Sequence, residues 1–186
     1  MHIEKMGSNE LRSFLASGRK ATLKFWRDNL NEICPKGGSL SQDIDTLQIN
    51  YGARFLTRFS LVSTGSDVYF PTFTSLVEIY DNFLHNTMSR GIPSLMELAG
   101  CQTLLLSGFY KEYAIKHYDL QDLCRIGRDF FNKSAVGKRK KVIKKVSANF
   151  DIWQELLHNL RVYLQEKRLL LESPNRPEPL IKIAPP

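Results

Sequence analysis

PSLMELAGCQTLLLSGFYKEYAIKHYDLQDLCRIGRDFFNKSA, residues 93–135, is the stretch whose reading decides the fold. Its apolar residues recur every three or four positions, the spacing of a helix with one buried side. Leu95, Leu98, Ala99, Leu104, Leu105 and Ala114 mark a first helix. Leu120, Leu123, Cys124, Ile126, Phe130 and Phe131 mark a second, and the chain turns back near Tyr118–Asp119. Ser94 followed by Glu97 has the form of a capping box. Asp119 is placed to cap the second helix, with Asp122 in its first turn beside the positive end of the helix dipole. Ser107-Gly108 predicts a bend in the first helix.

Working outward, the same spacing recurs on both sides. Leu11, Phe14 and Leu15 predict a short helix from Ser8 or Asn9 to Gly18. Leu23, Trp26, Leu30 and Ile33 predict another over 20–33, stopped by Pro35 and Gly37-Gly38. Ile44, Leu47, Tyr51, Phe55, Phe59 and Val62 continue a helical stripe over 41–62, although Phe55–Leu61 also alternates as a strand does. Length decides for helix, since some 20 residues exceed an ordinary strand. Gly52 weakens that helix by roughly 1 kcal/mol relative to alanine. A loop over 63–71 leads to a further helix over 72–89, closed by Gly91 and Pro93.

On the C-terminal side, 136–145 reads as a basic connector. Ser147 or Asn149 then introduces a last helix to about Glu172, with Phe150, Trp153, Leu157, Leu160, Leu164 and Leu171 in its seam. The segment 173–186 holds five of the chain's 8 prolines and is expected to be extended. The expectation is an all-α, single-domain bundle of six to seven helices over 1–172 with an extended proline-rich C-terminal tail.

Composition bounds the function. The chain has 186 residues, 42% hydrophobic and 24% charged, enough to bury a core without disulfides or metals. No apolar run approaches the length of a transmembrane segment, and the first residues lack the apolar core of a secretory signal, so the expected location is cytoplasmic. Cys34, Cys101 and Cys124 are too few and too scattered for a disulfide framework. Cys101 and Cys124 read as small core residues. Cys34, ahead of Pro35, is the one loop-like thiol and so the one candidate nucleophile, with nothing nearby to lower its pKa.

The histidines supply no metal set. His2 is terminal, His85 lies on its expected helix beside Asp81, and Glu112 lies five residues before His117. Glu155-His158 has the E-x-x-H form once, whereas a di-iron bundle needs it twice with two further glutamates. No phosphate-binding loop, dinucleotide fingerprint or nucleophile elbow occurs. No catalytic, cofactor-binding or metal-binding residues are assigned, and no cofactor is expected.

The formal charge is +7, and most of it is concentrated. Lys138, Arg139, Lys140, Lys141, Lys144 and Lys145 fall within eight residues, a run able to meet phosphates, lipid headgroups or an acidic protein. It contains no aromatic residue on which single-stranded bases would stack. In the tail, Leu180, Ile181 and Ile183 are apolar and costly to leave in water, so a groove on this chain or on a partner is expected to receive them.

The order Leu106-Ser107-Gly108-Phe109-Tyr110, then Asp119, Gly127 and Phe131, resembles a motif of uncharacterised bacterial helical proteins of about this length. There, a leucine- or phenylalanine-rich stretch runs into Ser-Gly-Phe-Phe, followed by a Tyr-Tyr pair and a Gly with Tyr four residues later. Tyr110 stands in for the second Phe, and the Tyr-Tyr pair is missing near Leu123. The likeness covers about 30 residues well and about 20 more loosely around Phe150–Leu164. It implies a helical fold and a bacterial source, and transfers no activity.

The leading expectation is a non-enzymatic protein-binding module, an adaptor or chaperone-like subunit whose partner is another protein. A second reading is weak, non-specific nucleic-acid binding through 138–145. A third is an enzyme or ligand carrier with a site assembled from distant helices, around Tyr110, Tyr113, His117 and Tyr118.

Overall fold

The computed structural model describes residues 19–34, 43–62 and 93–167, and every regular element among them is helical. These elements are α1 (Arg19–Ile33), α2 (Thr46–Val62), α3 (Pro93–Leu104), a π-helical turn (Leu105–Phe109), α4 (Lys111–His117), α5 (Leu120–Ser134), a 3-10 turn (Gly137–Arg139), α6 (Lys140–Ala148) and α7 (Phe150–Glu166). The all-α architecture is as the apolar spacing predicts. The expected helices over 8–18 and 72–89, the loop over 63–71 and the tail lie outside the described residues. So do Leu171, Leu180, Ile181 and Ile183. The described residues fall into two compact units, one formed by 19–62 and 156–167, the other by 93–155, and α7 contributes to both.

In the first unit α1 packs against α2. The buried side of α1 is Thr22, Phe25, Trp26, Asn29 and Leu30, a stripe in which Phe25 adds a large ring that the expected set omits. Its polar members cost little because the helix satisfies them itself: the Asn29 amide donates to the Phe25 carbonyl at 2.7 Å. Thr57 does the same to Ala53 at 2.7 Å in α2. The ambiguity between helix and strand at Phe55–Leu61 resolves to helix. Its start is Thr46 rather than 41, because the Asp45 carboxylate accepts the Gln48 backbone N–H at 2.9 Å.

In the second unit α3 packs against α5, and α6 packs against α5 in turn. Pro93 takes the first helical position, where its missing N–H costs nothing. Asp119 caps α5 as expected, accepting from Gln121 N at 2.8 Å and Asp122 N at 3.1 Å. Asp119→Ala is expected to cost about 1 kcal/mol of stability, read by urea denaturation, with Asp119→Asn restoring most of it. The bend foreseen at Ser107-Gly108 is a π turn, closed by Tyr110 N donating to Leu105 O at 2.9 Å across five residues. The segment expected as a connector is instead the 3-10 turn and most of α6. Gly137 opens it at φ +61, a conformation that side chains with a Cβ resist.

Two glycines set the α3–α5 distance. A Cβ on Gly127 would lie 2.6 Å from Phe150 and 2.9 Å from Thr103, and one on Gly100 would lie 3.1 Å from the Phe131 ring. Phe130, Phe131, Phe150 and Trp153 are fully buried. The glycines therefore make room for aromatic rings rather than for a ligand.

Candidate functional site

Val142, Ile143, Val146 and Ser147 recur at helical spacing and form the buried side of α6. The Ser147 hydroxyl donates to the Arg128 carbonyl at 3.1 Å, fixing α6 to α5. With that side committed to the core, Lys138, Arg139, Lys140, Lys141 and Lys144 are exposed and Lys145 is half-buried. All six cations of the run are thus gathered on one short, anchored piece of backbone.

The local electrostatics are one-sided. No Asp or Glu occurs between Asp129 and Asp151. Neither the 3-10 turn nor α6 has an acidic residue in its first turn or a side-chain cap. Lys140 and Lys141 at the positive end of the α6 dipole work against helix stability, while Lys145 in its last turn favours it. Arg139 has an internal partner, donating to Glu97 on α3 at 2.9 Å. Glu97 has only a slightly exposed side chain, so it ties the 3-10 turn to the helix hairpin.

The other candidates separate. Cys34 is buried, with its N–H bonded to Leu30 O at 3.1 Å, so it extends α1 instead of standing in a loop. Burial pushes its thiol pKa up, the opposite of activation. Tyr113 and His117 stack at 4.1 Å, with Tyr118 edge-on to Tyr113 at 6.2 Å, while Tyr110 packs against Phe109. His117 Nδ1 lies 2.8 Å from the Tyr113 carbonyl, and the ring is exposed. Burial, then Tyr113, pushes the Tyr118 hydroxyl pKa up. Among the described residues no three His, Cys, Asp or Glu side chains come together as a metal site. No helix among them is long and apolar enough to cross a membrane.

Gln154, a part-buried polar group, was not singled out by the sequence reading. The Gln154 amide donates to the Ser107 carbonyl at 3.0 Å, and the Cys124 thiol donates weakly to Gln154 Oε1 at 3.6 Å. The clue was Gln154 itself, four residues after Phe150 and three before Leu157, within the apolar seam. Burial raises the Cys124 pKa, Asp151 adds to the rise, and Arg128, Ser107 and Lys111 oppose it. This is a satisfied core contact under the π turn.

No protein-family model matches this chain, and no curated protein or solved structure matches it either.

Proposed function

We propose that this chain is a non-enzymatic helical binding module that meets an anionic partner through the exposed face of α6 and the preceding 3-10 turn. The observation that carries the reading is the pairing of six cations, four on the anchored α6 and two on the 3-10 turn before it, with a stretch of chain free of carboxylates. Long basic side chains on a rigid support attract a polyanion without the chain having to order itself first. Retention on immobilised heparin, a generic polyanion, tests it. The intact chain should elute at clearly higher salt than a variant with Lys140, Lys141 and Lys144 replaced by glutamine. Elution of both at the same salt would remove the reading.

An adaptor or chaperone-like role in a bacterial, cytoplasmic complex with another protein belongs to the same proposal. The sequence feature favouring a protein partner is the apolar Leu180, Ile181 and Ile183 in the proline-rich tail. A chain ending at Glu172 is expected to keep its helical circular dichroism and thermal transition while losing partners recovered by the full chain. Unchanged recovery would remove the tail from binding. Unfolding of the shortened chain would make the tail a strap of the bundle.

A further inference from the structure

The α6 face discriminates among anions. Protein–protein interfaces are depleted of lysine at their centre and rely on aromatic, methionine and arginine anchors. Among the described residues, the one large apolar side chain exposed next to this run is Val136. A membrane surface would call for an apolar face free to insert, and Val142, Ile143 and Val146 are committed to the core instead. Single-stranded nucleic acid calls for stacking rings, and 136–145 has none. Of the side chains that read base edges, the run has no amide, its one arginine, Arg139, is engaged by Glu97, and its lysines, able to pair with guanine, stand on flexible stems that suit phosphate contact better.

Lysine ammonium groups are compact point charges suited to phosphate oxygens. At a rise of ~1.5 Å per residue, eight helical residues span about 12 Å. Over that length a DNA duplex carries about seven phosphate charges, a density similar to that of the run. Resting on the reading above, we propose that the anionic partner is the phosphate backbone of double-stranded nucleic acid, bound through Lys138, Lys140, Lys141 and Lys144 without readout of sequence.

The test uses the full chain and a variant carrying Lys138→Gln, Lys140→Gln, Lys141→Gln and Lys144→Gln. All four side chains are exposed, so the variant should keep the parent's circular dichroism and melting temperature. Binding is titrated against two 20-base-pair duplexes of unrelated sequence, poly-L-glutamate and phosphatidylserine vesicles, each between 50 and 200 mM salt. Four phosphate contacts predict a duplex affinity falling about 150-fold over that range, equally for both sequences. The variant should lose nearly all of that dependence.

Binding of poly-L-glutamate or vesicles with no duplex binding at 50 mM would overturn the phosphate-backbone proposal and leave the anionic-partner reading standing. Binding of none of the probes would overturn both. A tenfold preference for one duplex would overturn the absence of readout. Duplex binding equal in variant and parent would overturn the assignment to these lysines.

Discussion

Phe131→Ala is expected to lower the unfolding free energy by about 3–5 kcal/mol, the cost of deleting a fully buried aromatic ring and leaving its cavity. Phe131 has no exposed surface, its ring fills the space above Gly100, and it lies 6.2 Å from the Phe150 ring. Removing it takes a wall from the α3–α5 contact and a neighbour from Phe150 together. Urea denaturation followed by circular dichroism would measure the loss. Phe131→Leu, which keeps most of the volume, should lose clearly less. A loss below about 1 kcal/mol for the alanine variant would mean that the site collapses without cost, contrary to the close packing described.

Gly127→Ala tests the other side of that contact. On an open helix the change would gain about 1 kcal/mol of propensity. Here the added methyl would lie 2.6 Å from Phe150 and 2.9 Å from Thr103, and neither ring nor methyl has an exposed direction in which to retreat. The expected outcome is a net destabilisation of about 1–3 kcal/mol, with α3 and α5 forced apart. The matched Gly100→Ala change, at 3.1 Å from the Phe131 ring, should cost less. Stabilisation by Gly127→Ala would contradict the close approach. Comparing melting temperatures of the two variants decides the matter.

What the sequence made legible was whatever a few neighbouring residues determine. Asp119 could be named as a cap because the N–H groups that it accepts lie two and three residues ahead. The stripe of α5 was legible because Leu123, Ile126 and Phe130 share a face wherever that helix packs. The start of α2 was missed because the apolar stripe already includes Ile44, and the cap that sets the start, Asp45, is shown only by the folded backbone. Misreading 136–145 as a connector has a different cause. Its charge density draws attention from Val142, Ile143 and Val146, which are the residues that make it a helix.

Contacts between distant residues were not legible at all. Glu97 and Arg139 are 42 positions apart, and Gln154 and Ser107 are 47 apart. Nothing in either neighbourhood announces its partner. The six cations of the candidate face were all found in advance, since a charge run needs no fold to be seen. That they sit together on an anchored helix and the 3-10 turn before it, with Arg139 held by Glu97, required the structure.

The π turn at Leu105–Phe109 has a consequence for the phase of the chain. Such a turn is an ordinary helix carrying one residue too many. Upstream, the direction of each side chain is set by the fit of α3 to α5. Downstream, it is set by the return through Tyr118 to the cap at Asp119. The two demands differ by a fraction of a turn, and the extra residue reconciles them as an intercalary day corrects a calendar. Delete the extra residue and that helix can close as an ordinary one, with each later side chain keeping its direction. Ala114, the one buried residue of α4, would stay in the core and Ile115, now 58% exposed, would stay outside. A deletion within α4 meets no such slack, and Ile115 would take the slot of Ala114.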